Sequence, residues 1–307
     1  MRIAAVDLVS NTCFPALAAD ALGCFRDEGL KVNIGLEPML GSTKALRDGR
    51  ADAMIAGSVF DVLTEFSAWK GVKIAVALSQ GTPWLLTTRS DLAAERGDTH
   101  ALRGLRLAAA EGPDLVFKEL LRSAGLEPGR DVEVIALDGA QEQNVSFGVF
   151  AGQALINGEI DGFWSNAMGA ETAVVSGAGK IHIDVRRGED PADIRFATFA
   201  GLVTTDEFLA REPEVIDAAV RGIVKAQSLL RKSPGLAREV GVQVFPPEFG
   251  VLIANVIERD TPFYDPVITE EAVTRLNSFA QTVGQLNAPV AYDQVVAVQC
   301  QPLWGGN

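Results

Sequence analysis

Histidine is nearly absent from this 307-residue chain: there are two, His100 and His182, too few for a histidine-built metal site. The three cysteines, Cys13, Cys24 and Cys300, form no CxxC pair, and an odd count in a chain this long argues against a disulfide framework. No metal and no cofactor is expected on these grounds. Apolar residues nowhere run together for the roughly 18 positions a membrane helix needs, so no direct membrane span is expected. Basic residues are outnumbered, 27 Lys and Arg against 40 Asp and Glu, for a net charge of -13. An acidic surface repels nucleic acid and anionic lipid, which removes both as expected partners, and it offers no long-range attraction to anionic ligands.

Hydrophobic residues make up 48% of the chain and charged ones 22%, enough for a sizeable core. The length suits two lobes, at about 100–200 residues per domain. Met1-Arg2-Ile3 opens the chain, Ala16-Leu17-Ala18 imitates a signal-peptidase site, and Ala21-Leu22-Gly23-Cys24 imitates a lipoprotein site. Asp7, Ser10, Asn11 and Thr12 interrupt the apolar stretch that a signal peptide requires, so the opening reads as a first strand followed by a polar loop. The chain is thus expected to be cytoplasmic or to lack a trimmed leader.

Strand and helix patterns alternate, which argues for α/β layers. Arg2 to Leu8 reads as a buried strand and Pro15 to Glu28 as a helix, with proline favoured in the first turn and Gly29 just past the end. Lys31 to Leu36 is a strand, Met39 to Ser42 a turn, and Ser42 the expected N-cap of a helix from Thr43 to Asp48. Ala53 to Ala56 is a strand, Gly57-Ser58 opens a helix to about Trp69, and Val72 to Leu78 and Trp84 to Thr88 complete the first sheet. The polar run Asp91 to His100 reads as a crossover, after which the pattern restarts. The second lobe has strands at Leu105 to Ala109, Val132 to Leu137, Ile160 to Trp164 and Lys180 to Val185, and helices that include Gln143 to Asn157. Phe196 to Thr204 returns the chain to the first lobe, and the remainder reads as helical. The expected fold is α/β and two-lobed, each lobe a mainly parallel sheet flanked by helices, with residues 1–92 and 199–307 in lobe 1 and 93–198 in lobe 2.

Ligands of open α/β sheets bind beyond the carboxyl ends of the strands. In this chain those positions are small and polar: Ser10-Asn11-Thr12-Cys13, Gly41-Ser42-Thr43, Gly57-Ser58, Ser79-Gln80-Gly81-Thr82, Glu111-Gly112-Pro113-Asp114 and Ser165-Asn166. Several open predicted helices, where unpaired N–H groups favour a carboxylate, sulfonate or phosphate. No arginine sits in these loops, which argues against a small bare oxyanion held in a bidentate grip. Glu111 and Asp114 allow a cationic or hydroxyl-bearing group instead. The expected ligand set is Ser10, Asn11, Thr12, Cys13, Phe14, Ser42, Thr43, Ser58, Val59, Gln80, Glu111, Asp114, Trp164 and Asn166, with Trp164 as an aromatic wall of an interlobe cleft.

Several stretches carry a family resemblance. They are Gly23-Cys24-Phe25-Arg26-Asp27-Glu28-Gly29-Leu30-Lys31-Val32, Gly41-Ser42-Thr43-Lys44-Ala45-Leu46 with Gly49-Arg50-Ala51-Asp52-Ala53, Leu102-Arg103-Gly104-Leu105-Arg106-Leu107, Leu121-Arg122-Ser123-Ala124-Gly125-Leu126, and Ile156-Asn157-Gly158-Glu159-Ile160-Asp161-Gly162. In this order the chain resembles the periplasmic solute-binding proteins of ABC importers, in the nitrate/sulfonate/taurine group that includes the NMT1/THI5-like proteins. The resemblance implies a type II binding-protein fold with two crossover strands. It places a ligand at the cleft without fixing which one; the expected ligand is a small organic molecule, aromatic or heterocyclic, with a carboxylate or sulfonate as the group it could carry. Hinge closure, docking on a membrane permease and a periplasmic or cell-envelope location follow from the resemblance too.

A second resemblance points to an enzyme. Ser10-Asn11-Thr12-Cys13-Phe14-Pro15 is similar to the first polar loop of the aromatic sulfinate desulfinases, with Cys13 one place along. It implies a desulfinase- or decarboxylase-like lyase with Cys13 as its catalytic group. A cysteine just before a helix can have a lowered pKa. No histidine lies between Met39 and Phe60 to assist it, which leaves Glu111, Asp114 or Lys44 as substitutes.

Overall fold

The computed structural model describes residues 1–38, 40–140, 142, 145–189, 194–250 and 252–305, with backbone alone for Glu248. The chain starts with β1 (Arg2–Ala5), α1 (Phe14–Ala21), α2 (Cys24–Asp27), β2 (Asn33–Leu36), α3 (Gly41–Arg47), β3 (Ala53–Ala56) and β4 (Val72–Ser79). It continues through β5 (Leu85–Arg89), β6 (Arg106–Ala109), α4 (Pro113–Ser123), β7 (Glu133–Ile135), α5 (Phe147–Ile156), β8 (Gly162–Ser165), α6 (Ala167–Val175) and β9 (Gly179–Asp184). It ends with β10 (Ala200–Thr205), α7 (Asp206–Arg211), α8 (Pro213–Lys232), α9 (Leu236–Val244), α10 (Pro247–Gly250), α11 (Leu252–Asp260), α12 (Glu270–Thr282) and α13 (Tyr292–Val295). None of the described helices is long and apolar enough to cross a membrane.

The strands form two five-stranded sheets, ordered β2-β1-β3-β10-β4 and β7-β6-β8-β5-β9. Each is mainly parallel, as expected, with four strands running one way and a single antiparallel strand, β10 or β5. β1 runs parallel to β2 and β3, while β10 is antiparallel to β3 and β4. In the second sheet β6 runs parallel to β7 and β8, and β5 is antiparallel to β8 and β9. The chain divides into two compact units, Met1–Gly81 with Phe196–Asn307, and Thr82–Arg195. The first boundary therefore falls before residue 92, because Leu85–Arg89 pairs in the second sheet instead of completing the first. An alternating apolar strand carries no mark of the partner it will choose.

Local chemistry explains the other departures. The helix expected from Pro15 to Glu28 breaks at Gly23, whose φ of +74° is left-handed. The helix expected from Gly57-Ser58 to Trp69 is two short 3-10 turns, Val59–Thr64 and Ser67–Trp69, the second containing left-handed Ala68 and Trp69. α5 begins at Phe147; Gln143 and Asn144, where the helix was expected to begin, lie outside the described residues, as does Met39 of the expected turn. In the first unit, α8 buries Ile216, Ala219, Val220, Ile223, Ala226, Gln227 and Leu230, the stripe expected of an amphipathic helix against a sheet. In the second, α5 and α6 cross so closely that a Cβ on Gly169 would lie 2.4 Å from the Gly148 carbonyl oxygen.

Candidate functional site

In the first unit the polar loops gather at one end of the sheet. β1, β2 and β3 deliver the chain to that end, and antiparallel β10 starts there, with Gly201 opposite Ala56 and Ala200 opposite Ser79. After β1 the Asp7 carboxylate accepts from the Val9 amide at 2.7 Å, which turns the chain out of the strand and into Ser10–Cys13. Ser10, Asn11, Thr12, Cys13 and Phe14 are all buried. The Ser10 and Thr12 hydroxyls are 2.9 Å apart, and Thr12 Oγ1 lies 3.9 Å from Cys13 Sγ. Cys13 is hydrogen-bonded by both Ser10 and Thr12, so the three groups form one buried, mutually bonded cluster of neutral donors. Gly57, just past β3, faces this group: a Cβ there would lie 3.5 Å from Thr12 Oγ1 and 3.8 Å from Cys13 Sγ.

Two further loops add hydroxyls. Ser58 and Thr198 are 3.0 Å apart, and Thr198 Oγ1 accepts from the Phe60 amide at 3.3 Å. Val59 is buried with its amide donating to the Phe199 carbonyl at 2.9 Å. Ser42 lies inside α3 instead of capping it; the cap position is Leu40, and the Thr43 hydroxyl donates back to the Leu40 carbonyl at 2.6 Å. The hydroxyls of Ser42 and Ser79 are buried without a hydrogen-bond partner among the described residues. Buried polar atoms are satisfied as a rule, so each exception needs a reason. Gln80 is differently engaged, its two Nε2 protons going to the Asp265 and Val267 carbonyls at 2.8 and 2.7 Å.

Cys13 does not have the activated thiol expected of a helix N-terminus. Burial, and then the Asp7 carboxylate, push its pKa up to about 12, outweighing the hydrogen bonds of Ser10 and Thr12. Phe14 is fully buried and stacks on Phe245 with ring centroids 6.2 Å apart.

The second unit uses its strand ends differently. Trp164, one residue before the end of β8, is completely buried, with Phe117 stacked at 5.3 Å and Trp84 tilted against it at 6.1 Å. Packing of these rings accounts for its burial, although its indole N–H has no acceptor among the described residues. Asn166 caps α6, its Oδ1 accepting from the Met168 and Gly169 amides at 3.1 and 3.3 Å. Asp114 accepts from the Gly112 amide at 3.0 Å and from Lys118 Nζ at 2.5 Å, one turn along α4. Glu111 is exposed. Among the described residues no group of three or more His, Cys, Asp or Glu is placed to hold a metal ion.

The structure thus brings together Ser10, Thr12, Cys13 and, facing them, Gly57, and separately Ser58 with Thr198. Sequence reasoning missed Thr198, Asp260 and Tyr264. Thr198 could have been found by asking which antiparallel strand begins where its neighbours end. Asp260 and Tyr264, which bond Asn11, lie some 250 positions away and carry no local signal.

The profile of the NMT1/THI5-like family matches residues 11–237. The nitrate import ATP-binding protein NrtC of Synechococcus elongatus is 26% identical over 92% of this chain, which spans 43% of that protein's length. Among solved structures, the alkanesulfonate-binding protein SsuA of Xanthomonas axonopodis pv. citri bound to MOPS superposes with a TM-score of 0.70 at 14% identity, covering 98% of this chain and 96% of that one. The desulfurization enzyme DSZB superposes with a TM-score of 0.69 at 14% identity, covering 98% and 97% of the two chains. At such identities it is the fold that is shared.

Proposed function

This chain belongs to the NMT1/THI5-like family, and from that premise we propose that it is a solute-binding protein that captures a small organic ligand for ABC-type import. The carrying observation is the buried neutral lining of the first unit's loops: the Ser10, Thr12 and Cys13 cluster after β1, and the hydroxyls of Ser42 and Ser79, which have no hydrogen-bond partner among the described residues. A carboxylate or sulfonate oxygen is the acceptor that the Ser42 and Ser79 hydroxyls lack. No cation stands among these residues, which favours an organic acid gripped also through its apolar body over a bare inorganic anion. The alkanesulfonate-binding neighbour with its bound MOPS supports the same ligand class. A membrane permease as partner and a location in the cell envelope go with this reading.

The enzyme alternative draws on the fold shared with the desulfurization enzyme. A thiol with its pKa near 12 is neutral at pH 7 and is a poor nucleophile. The buried histidine of the second unit, His182, bonds the Asp98 carbonyl at 2.9 Å on another loop. Holding a ligand without changing it is therefore the better use of this site.

The test is thermal stabilisation across nitrate, taurine, MOPS, biphenyl-2-sulfinate and aromatic carboxylates, with recovery of each stabilising compound by mass spectrometry. One organic acid should raise Tm and be recovered intact. Consumption of that compound, abolished by Cys13→Ser while binding persists, would overturn the binding-protein reading.

A further inference from the structure

We propose that Asp260 and Tyr264 are positioning residues of the ligand loop, and that Asn11 is the handle they hold, not a ligand contact. The proposal rests on the reading of Ser10–Cys13 as ligand-binding. Asn11 is gripped twice from the C-terminal helical part of the chain: its side-chain Nδ2 donates to Asp260 Oδ2, and its backbone carbonyl accepts from the Tyr264 hydroxyl at 2.6 Å. All three residues are buried, with relative exposures of 0% for Asn11, 3% for Asp260 and 0% for Tyr264. Asp260 closes α11, and Tyr264 follows the short turn Thr261–Phe263, so one rigid corner supplies both contacts. The Arg231 guanidinium donates to the Tyr264 carbonyl and fixes that corner to α8.

Because the amide of Asn11 points to Asp260, the neighbouring side chains are the ones that meet: the Ser10 and Thr12 hydroxyls are 2.9 Å apart. Fixing both the backbone and the side chain of the middle residue sets their direction. A loop ordered before the ligand arrives loses less freedom on binding. The same corner also engages the exit of β4, where the Gln80 amide donates to the Phe263 carbonyl at 2.8 Å. A ligand loop and the segment leading out of the first unit therefore share one anchor.

The experiment compares Asp260→Asn, Tyr264→Phe and the exchanged pair Asn11→Asp with Asp260→Asn, which restores an amide–carboxylate contact with the roles reversed. Two readouts are taken: backbone hydrogen exchange of residues 8–13 in the ligand-free protein, and calorimetric affinity for MOPS. Both single substitutions should speed exchange in that segment at least about tenfold while α8 and the strands keep their protection, and weaken MOPS binding by about tenfold, the order expected from losing one hydrogen bond to a charged group. The exchanged pair should recover both readouts. Unchanged exchange at residues 8–13 in Tyr264→Phe, or equal acceleration throughout the chain with no recovery in the exchanged pair, would overturn the proposal. Failure of the unsubstituted protein to bind MOPS or any organic acid would overturn the ligand reading instead, and the exchange result would then still decide whether the loop is held by this corner.

Discussion

In both sheets four strands run one way and a fifth, β10 or β5, runs against them, yet the loops that leave equivalent strands have opposite characters. After β1 and β3 the first unit buries small neutral groups, Ser10, Thr12, Cys13 and Ser58, and at Ser42 and Ser79 it buries hydroxyls with no partner among the described residues. After β6 the second unit exposes Glu111 and commits Asp114 to Lys118 and to its own helix start, and near the end of β8 it stacks Trp164 on Phe117. The shared topology sets where a loop emerges, and side-chain burial sets what it can do. A buried hydroxyl with no partner is available to a ligand, whereas exposed Glu111 is open to water and half-buried Asp114 is held by a neighbouring lysine.

The contrast gives distinct outcomes on substitution. Trp164→Ala should have the largest effect on stability, roughly 3–5 kcal/mol, because it empties an aromatic stack that cannot close. Calorimetry would locate that loss, and an effect under about 1 kcal/mol would mean the rings are a ligand wall with slack in their packing. Cys13 should make the first unit sensitive to alkali. Its thiol loses a proton near 9.0 when unfolded and near 12 when folded, so the unfolded state binds fewer protons between those values. Stability should therefore fall as pH rises through that window, by roughly 1.4 kcal/mol per pH unit relative to Cys13→Ala. Parallel denaturation curves for the two proteins from pH 8 to 10.5 would contradict the deep burial of the thiol. Smallest of the three, Asp114→Asn should cost under about 1 kcal/mol, since it removes the charge of a partly exposed pair within one helix and keeps a side-chain oxygen to accept from the Gly112 amide. A larger loss in urea titration would make this carboxylate a structural anchor of the second unit.

Much of this contrast was legible in the sequence. Pro15 and the polar run before it marked the β1 loop and the start of α1, and the six polar loops were found at strand ends. The direction and partner of β5 and β10 were not legible, because alternation tells a strand's faces but not its neighbours. Ser42 looked like a cap because serine before an apolar run favours that place; left-handed Leu40 started the helix earlier and turned the serine into a buried donor. The helix-start signal at Cys13 suggested a reactive thiol, and burial reversed it. Nothing near Asn11 announced Asp260 or Tyr264, since contacts across some 250 residues are a product of packing alone.

The most direct measurement is the affinity of one stabilising organic acid for Thr12→Val and for Asp114→Asn, by titration calorimetry against the unsubstituted protein. Thr12→Val keeps shape and removes a buried donor; it should weaken binding about tenfold while Asp114→Asn changes it less than about twofold. Equal affinity for Thr12→Val with a large loss in Asp114→Asn would contradict the assignment of the ligand to the buried hydroxyls of the first unit.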